Sequence, residues 1–227
     1  MELLAYGFRI EFWGDRACFT RPELKVERMS YDVPTPSALR GMLEAVYWHP
    51  GMRWCVDRIH VLNRIAFTNV RRNEVKSKGS MSAMRSAMLN GGELPYLNTK
   101  EDIQQRASLV LRDVRYVVEA HFELTDDAGP SDNPGKFQAI ASRRFERGQC
   151  YSQPYFGCRE FPAYFGPYEG QSDPKGYYTG SGERDLGLML YDMDFSDPAD
   201  IMPMFYRVTM RDGVIEVPPL TGSEVLR

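Results

Sequence analysis

Residues 113–124, DVRYVVEAHFEL, constrain the fold of this chain more than any other stretch. Apolar side chains occupy every second position, with mostly polar residues between them: Val114, Tyr116, Val118, Ala120 and Phe122. Because successive side chains of a strand point to opposite faces of a sheet, this pattern predicts a strand with one buried face. Such a strand needs a sheet whose apolar face is covered by other elements.

A helix that could provide this cover is predicted nearby, over residues 134–147 of the stretch DNPGKFQAIASRRFERG. Asp132 or Asn133 can cap its first turn, and Pro134 suits the first helical position. Gly148 follows a basic last turn and can end the helix in a left-handed conformation. Both ends of this helix are therefore marked in the sequence.

Period-two and helical patterns predict the other elements. These are a strand over 3–13 that Gly14-Asp15 breaks, a loop over 15–35, a helix capped by Ser37 and running to Tyr47–Trp48, a strand or bent pair of strands over 53–70, and strands over 186–195, 204–213 and 214–218. Asp212-Gly213 is typical of a hairpin turn between the last two strands.

Residues 71–100 differ from their surroundings because they are basic, rich in Gly, Ser and Met, and without a period. A loop of this length inside a compact domain is usually functional or disordered. We therefore predict a basic, irregular insertion between two strands.

The order of elements is strand, helix, strand, insertion, strand, helix, strand, followed by short strands to the end. This order predicts an α+β fold: a ferredoxin-like (RRM-like) βαββαβ N-terminal domain with the basic insertion, and a small antiparallel β-sheet C-terminal domain. We place the first domain at residues 1–160 and the second at 161–227. Fold alone does not decide function, although folds of this kind include RNA-binding domains.

The charge distribution favours a polyanionic partner, although the formal net charge is −3. Between Arg64 and Arg85 the chain has six basic residues and one acidic residue. Acidic residues concentrate late in the chain: Glu183, Asp185, Asp192, Asp194, Asp197 and Asp200. A protein with one basic face and one acidic end can bind a polyanion and stay in solution. Scattered, solvated charges are the alternative interpretation.

The four cysteines and three histidines bear on metals and on the cellular compartment. No two cysteines have C-x-x-C spacing, which argues against a structural zinc and for a reducing cytoplasm. No apolar run reaches the ~18 residues of a membrane span, and the alternating, charged N-terminus is typical of a strand rather than a signal peptide. We expect a cytoplasmic protein with no metal, no cofactor and no membrane partner.

Several segments together resemble one known family over nearly the full chain. They include WGDRACFT at 13–20, YDVPTPSALRGMLEAVYW at 31–48, LRDVRYVVEAHFELTDDAG at 111–129 and QPYFGCREFPA at 153–163. The chain resembles the CRISPR-associated Cas-five family in its Dvulg variant, subtype I-C. The first and last of these stretches are the most specific to that family.

The resemblance implies a protein of the RAMP superfamily that processes CRISPR RNA. Members of this variant cleave the CRISPR repeat transcript (pre-crRNA) at the base of its hairpin, without a metal, and leave a 2′,3′-cyclic phosphate. They then stay on the crRNA 5′ handle as a subunit of the type I-C surveillance complex. The implied partners are therefore CRISPR repeat RNA and the other subunits of that complex.

The family's active site has a tyrosine at the end of the first helix, and an adjacent lysine and histidine at the start of the second. Tyr47 and Lys136 match the first two positions, and Phe137 stands in place of the histidine. An ammonium at a helix N-terminus suits a phosphate, and a tyrosine can orient the 2′-OH or relay its proton. Phe137 cannot transfer a proton, so we expect it to stack on a base of the RNA.

We do not expect another histidine to replace the missing one. His49 follows Tyr47 by two residues, about 200° around a helix, and should not share its face. His60 and His121 lie in predicted strands and are more typical of structural hydrogen bonds.

Basic residues outside this trio are candidates for contacts with the RNA backbone. The insertion contributes Arg71, Arg72, Lys76 and Lys78. The second half of the helix over 134–147 contributes three more, which either contact phosphates or complement the helix dipole: Arg143, Arg144 and Arg147.

Three functions are open at this point. The leading one is a metal-independent endoribonuclease that cleaves pre-crRNA and retains the product. The main rival is a non-catalytic subunit that binds the crRNA 5′ handle, which Phe137 favours and which Tyr47 and Lys136 oppose. The third adds affinity for double-stranded DNA (dsDNA) through the same basic face, and a steep salt dependence with little sequence preference would mark it.

Overall fold

The computed structural model describes residues 7–24, 26–93 and 95–227. Within these ranges the protein is mixed α/β, with one mostly antiparallel sheet and three helices. In chain order the elements are β1 (Phe8–Ala17), α1 (Pro36–Val46), β2 (Met52–Val61), β3 (Phe67–Val75), α2 (Met81–Asn90), β4 (Ile103–Leu124), α3 (Pro134–Arg147), β5 (Tyr164–Pro167), β6 (Glu183–Asp194), β7 (Met202–Arg211) and β8 (Val214–Glu216).

The strands form one continuous sheet in the order β5-β1-β4-β2-β8-β7-β6, and β3 adds to β4 outside this path. The 22-residue strand β4 is its centre, because its second half pairs with β1 and β2 while its first half pairs with β3. Residues 113–124 lie within β4, so the prediction of a half-buried strand there is confirmed.

An aromatic cluster joins the apolar face of the sheet to α3. Trp54 of β2 packs edge-on against three other buried rings, at centroid distances of 5.3, 5.9 and 6.1 Å: Phe8, Phe122 and Phe145. Each pair of this geometry contributes about 0.5–1.5 kcal/mol beyond the burial of its area. Helix α1 buries Leu39 and Leu43 in the same core. This packing fixes where α1 ends and where α3 begins.

Helix α1 has different ends from those predicted. Its N-cap is Thr35, whose hydroxyl accepts a hydrogen bond at 3.1 Å from the N–H three residues later, so the prediction of Ser37 as the cap is wrong. Pro36 then opens the helix, where its missing N–H has no cost. The helix ends at Val46, and Tyr47 is already extended, with φ −149° and ψ 121°.

The first strand and the stretch over 53–70 also differ in detail from expectation. β1 continues through Gly14, which lies opposite Val114, so the predicted break at Gly14-Asp15 is wrong. The long edge of β4 provides partners there, and this pairing outweighs the local turn signal. Residues 3–6 of the predicted strand lie outside the described residues. The stretch over 53–70 forms a pair of strands, β2 and β3.

Helix α3 spans the predicted residues, and both end signals act as expected. The Asn133 side chain accepts a hydrogen bond from the Lys136 N–H at 2.9 Å. Gly148 has φ 61°, the left-handed conformation that glycine adopts without a steric penalty. The first turn of this helix carries Lys136 and Phe137.

The insertion over 71–100 is more regular than predicted, and the expectation of an aperiodic loop is wrong over two stretches. β3 continues to Val75 because the first half of β4 pairs with it in unbroken register. Helix α2 is capped by the Ser80 hydroxyl. None of its residues, all of which the structure describes, is buried. The insertion is therefore a hairpin arm with an exposed helix.

The C-terminal strands follow the prediction closely. Asp212 and Gly213 have φ 52° and 87°, the two left-handed residues that a type I′ hairpin turn between β7 and β8 requires. β8 pairs with β2, so these strands continue the same sheet. Among the helices in the described ranges, none has the length and hydrophobicity that a membrane crossing requires.

Candidate active site

Two segments that are distant in the sequence meet at one site: the residues just after α1 and the first turn of α3. The ring centroids of Tyr47 and Phe137 are 6.3 Å apart, and the His49 ring lies 5.0 Å from that of Phe137. Lys136 adjoins Phe137 on α3. The structure thus brings together the three residues that the family resemblance pointed to, and adds His49.

Lys136 is held at the mouth of α3 by Asp132. Its Nζ donates to Asp132 Oδ1 at 2.9 Å, and its side chain is 41% exposed. The other carboxylate oxygen of Asp132 accepts from the Gly129 N–H at 3.0 Å. The hydrogen bonds from Lys136 and from Gly129 hold the pKa of Asp132 below its usual range. The carboxylate is therefore ionised, and it holds the Lys136 ammonium at the N-terminal end of α3.

Tyr47 is a largely buried residue with cations on two sides. Its backbone is fixed at both ends, since its N–H donates to Leu43 and its carbonyl accepts from the Trp54 indole. The Arg144 guanidinium lies 5.1 Å over its ring. Burial raises the pKa of Tyr47, against the lowering effect of Lys136 and Arg144. At neutral pH the phenol is therefore protonated, and it can donate a hydrogen bond but is a poor base.

The Tyr47 hydroxyl itself makes no hydrogen bond to any residue within 7–24, 26–93 and 95–227. A phenol in this state can donate to a ligand oxygen without first breaking a bond inside the protein. Arg144 is tied to the same place, because its Nη1 donates to the Val46 carbonyl at 2.6 Å.

Phe137 is completely buried, so the expectation that it stacks on an RNA base is wrong. Its ring lies 6.1 Å from Phe122 in the aromatic cluster and contacts the rings of Tyr47 and His49 on its other side. A ring with no exposed surface has no face to offer to a base. Phe137 instead packs against the rings of Tyr47 and His49 and supports both.

His49 does reach the site, and the prediction that it would point elsewhere is wrong. That prediction assumed a helix through residue 49, whereas α1 ends at Val46. The His49 Nδ1 accepts from the Gly51 N–H at 3.1 Å and lies 3.8 Å from Asp132 Oδ2. Its side chain is 35% exposed. The sequence does carry a signal for this position, since Pro50-Gly51 is a strong helix stop.

The other two histidines make structural contacts, as expected. His60 is buried and its Nε2 lies 3.1 Å from a Glu119 carboxylate oxygen. His121 Nδ1 is 2.9 Å from both carboxylate oxygens of Asp57. Neither lies among the contacts of Tyr47 and Lys136.

The basic residues predicted to bind RNA are divided among three environments. Five are exposed, three on the hairpin arm and two in the second half of α3: Arg71, Lys76, Lys78, Arg143 and Arg147. Arg72 is instead half-buried and already paired, with Ser108 at 3.0 Å and with Glu160. Arg144 belongs to the candidate active site.

Comparison with protein families gives a match over most of the chain. Residues 7–218 match a family model described as CRISPR-associated protein (Cas_Cas5). A protein of Mannheimia succiniciproducens named CRISPR pre-crRNA endoribonuclease Cas5d is 46% identical, and the alignment covers 99% of this chain and 100% of that protein. A protein of Thermus thermophilus with the same name is 39% identical over 96% of this chain and 94% of its own length.

Two solved structures are similar in fold. One is the crystal structure of a CRISPR-associated protein, with a TM-score of 0.71, 23% identity and full coverage of both chains. The other is a functionally uncharacterized protein from Streptococcus mutans, with a TM-score of 0.70, 22% identity and 97% coverage of both chains. At this level of identity the similarity concerns the fold alone.

Proposed function

This chain belongs to the CRISPR-associated Cas5 family, and we propose that it is an endoribonuclease that cleaves pre-crRNA at the base of the repeat hairpin. Relatives that carry pre-crRNA endoribonuclease in their names align with nearly the whole chain. The observation that carries the assignment of the site is the meeting of an ammonium, a neutral phenol and an imidazole: Lys136, Tyr47 and His49. These groups suffice for RNA cleavage without a metal.

In the proposed reaction, the 2′-oxygen of one nucleotide bonds to the adjacent phosphorus while the bond from phosphorus to the next 5′-oxygen breaks. The products are a 2′,3′-cyclic phosphate and a 5′-hydroxyl. One proton leaves the 2′-OH and another reaches the departing 5′-oxygen. The protein must therefore bind the phosphate, stabilise the charge of the transition state and serve two proton transfers.

Lys136 and the first turn of α3 bind the scissile phosphate in this proposal. A helix N-terminus presents unpaired N–H groups and a partial positive charge, both of which attract phosphate. The Lys136 ammonium adds a full charge at the same place, and its exposed side chain can reach an RNA phosphate. Tyr47 donates a hydrogen bond that orients the reacting nucleotide, since its raised pKa disfavours a role as base.

We assign a proton-transfer role to His49. Phe137 occupies the position of the family histidine in the sequence, and His49 supplies the imidazole in its stead. The imidazole is partly exposed, and its Nδ1 lies 3.8 Å from Asp132, which binds Lys136. Because Nδ1 accepts from the Gly51 N–H, the neutral imidazole carries its proton on Nε2, and we propose that Nε2 donates this proton to the departing 5′-oxygen. Phe137 is a positioning residue in this arrangement, because its buried ring supports both Tyr47 and His49.

After cleavage, we propose that the protein retains the crRNA 5′ handle and acts as a subunit of the type I-C surveillance complex in the cytoplasm. The exposed cations of the hairpin arm and of α3 are suited to the RNA backbone: Arg71, Lys76, Lys78, Arg143 and Arg147. Arg72 contributes less, because Glu160 already neutralises its charge.

We also infer that β1, α1, β2, β4, α3 and β5 form a ferredoxin-like βαββαβ unit of the RAMP type. The antiparallel order β5-β1-β4-β2 supports this inference, with β3 and α2 as an insertion between the second and third strands of the unit. The division into domains at residues 1–160 and 161–227 stays a prediction, in which β6, β7 and β8 form the C-terminal part. β5 lies beyond that boundary but pairs with β1.

The proposed activity is tested with purified protein and its own repeat RNA in excess EDTA. We expect one cut at the base of the hairpin and a product that ends in a cyclic phosphate. The matched control is the same RNA with a single 2′-deoxy nucleotide at the cut, which removes the attacking group and should abolish cleavage without affecting binding. Cleavage that EDTA stops, or that the deoxy substitution leaves intact, would contradict the mechanism.

Tight binding of the repeat RNA with no cleavage in this experiment would favour the rival function, a non-catalytic subunit on the 5′ handle. Phe137 is the sequence feature behind that rival. The presence of His49 at the site weakens it, because the chain does not lack an imidazole there.

Removing two exposed charges of the hairpin arm should weaken RNA binding mainly through the salt-dependent part of the affinity. For the double variant Lys76→Ala, Lys78→Ala we expect the magnitude of the slope of log K against log salt to fall by about 1.4–1.8, since each lost phosphate contact removes roughly 0.7–0.9. Filter binding at several salt concentrations measures this slope. Arg211→Ala, which loses a charge paired with Glu183, is the control and should leave it unchanged.

The same titration with dsDNA tests the third function. Binding with a similar slope and no sequence preference would add dsDNA as a partner of this basic face.

In the RNA titration, an unchanged slope in the double variant Lys76→Ala, Lys78→Ala would show that the RNA backbone binds elsewhere on the protein.

A further inference from the structure

A group of metal-ligand side chains lies on β2 and β4, on the opposite sheet face from the aromatic cluster. Cys55 is directly opposite His121 in the ladder, and Glu123 follows on the same face of β4. Their neighbours Trp54 and Phe122 point into the core. We propose that Cys55, His121 and Glu123 bind one zinc ion, a site independent of the proposed nuclease function.

The three ligand atoms are close enough to share an ion. The Cys55 sulfur, an imidazole nitrogen of His121 and a carboxylate oxygen of Glu123 all lie within 4.8 Å of one another. His121 Nε2 and Glu123 Oε1 are 3.9 Å apart, beyond hydrogen-bond distance. Nitrogen and oxygen ligands at about 2.0–2.2 Å from a tetrahedral zinc are roughly 3.3–3.6 Å apart. Small side-chain rotations would therefore close the site.

Asp57 orients the His121 imidazole for metal binding. Both Asp57 oxygens lie 2.9 Å from His121 Nδ1, which favours the proton on Nδ1 and, in the neutral imidazole, makes Nε2 the nitrogen available to a metal. A β-bulge between Val56 and Arg58 leaves Asp57 as the extra residue of β2 and directs its carboxylate to the imidazole. A carboxylate behind a ligating histidine is the usual partner in protein metal sites, where it fixes the tautomer and raises the basicity of the ligand.

Arg53 orients the Glu123 carboxylate in a similar way. Its Nη2 donates to Glu123 Oε2 at 2.6 Å, which leaves Oε1 as the oxygen that faces His121 Nε2. His121 and Glu123 thus each have one polar atom held by a neighbour, while their other polar atoms lie towards each other. The alternative is a metal-free network in which the Cys55 thiol interacts with Arg53 and Glu123, and the zinc titration below distinguishes the two.

The chemistry of the three ligands selects the metal. A thiolate with an imidazole favours zinc over magnesium or calcium, which prefer oxygen ligands throughout. Three protein ligands leave one position for water or another small ligand, as in zinc sites that exchange a ligand. A cavity of about 290 Å³ adjoins the cluster and is also lined by Tyr191 and residues 217–221. This cavity gives the fourth ligand room and access.

The expectation of no metal rested on the absence of C-x-x-C spacing in the sequence. His121 and Glu123 are two positions apart on β4, but Cys55 is more than 60 residues away from them and becomes their neighbour only through the register of β2 with β4. Spacing along the chain carries no information about such a cross-strand pair.

The test measures metal binding by the whole protein, independently of RNA cleavage. Metal-free protein is titrated with zinc against a chromogenic chelator and, separately, with cobalt while the absorption spectrum is recorded. We expect one zinc per chain and a thiolate-to-cobalt charge-transfer band. Cys55→Ser, which is nearly isosteric, should abolish the band and weaken zinc binding at least tenfold. Asp57→Asn should keep the band and weaken zinc binding about 10–100-fold.

Cys150→Ser is the matched control, because Cys150 is also a half-buried free thiol but lies outside the cluster. It should retain both the stoichiometry and the band. Zinc binding of equal strength in wild type and Cys55→Ser would overturn the proposal, as would wild-type protein that binds no zinc. Thermal unfolding of each metal-free variant establishes that the protein used is folded.

Discussion

Replacing Lys136 with alanine is expected to lower the rate of repeat-RNA cleavage by about 10²–10³-fold, the usual effect of removing one donor that stabilises transition-state charge. Its ammonium is a full positive charge at the N-terminal end of α3, where the helix dipole is also positive, and its side chain is 41% exposed. The loss should appear in the single-turnover rate at saturating protein. Binding of the RNA should change much less, because many other cations contribute to it.

Lys136→Ala is expected to lower the stability of the protein modestly. The Lys136 side chain is 41% exposed, but its partner Asp132 is only 7% exposed, and a buried carboxylate that loses its cation is destabilising. The Gly129 N–H still binds this carboxylate in the variant, so the protein should remain folded, which thermal unfolding checks. Lys175→Ala, an exposed lysine on an irregular segment, is the control for loss of charge alone. An unchanged rate in Lys136→Ala would remove this residue from the active site and with it the proposed location of the phosphate.

The elements that the sequence predicts well carry their own signals. The period-two run of β4 and the two marked ends of α3 are local features, and the structure agrees with both. The ends of α1 were predicted less well, because Thr35 and Ser37 are both good caps and only the packed helix chooses between them. β3 was partly missed because its regularity comes from pairing with β4 and not from its own sequence.

The site was predicted in the same uneven way. Tyr47 and Lys136 could be named from the family resemblance, and the structure places both at the meeting of α1 and α3. The burial of Phe137 could not be read from its position after a lysine, because it depends on Phe122 across the core. His49 was dismissed because helical geometry was applied beyond Val46, where α1 ends. A small shift in a boundary therefore changed which residues could act together.

Replacing His49 with asparagine is expected to reduce cleavage by about 10²–10⁴-fold, the range for removing a general acid or base. Asparagine keeps an acceptor near the Gly51 N–H, which Nδ1 of His49 now satisfies, so the local turn should survive. It cannot carry a proton to or from the RNA. Single-turnover rates at saturating protein measure this loss.

A structural role for His49 makes the opposite prediction, since asparagine would then restore most of the rate that His49→Ala loses. Added imidazole separates the two roles further. It should raise the rate of His49→Ala, where the removed ring leaves space beside Phe137, and should have no effect on Lys136→Ala. Full activity in His49→Asn would contradict the assignment and leave Lys136 and Tyr47 to act on the phosphate without a histidine. Phe137 cannot transfer a proton. Loss of activity in His49→Asn would therefore identify His49 as the residue that compensates for the missing family histidine.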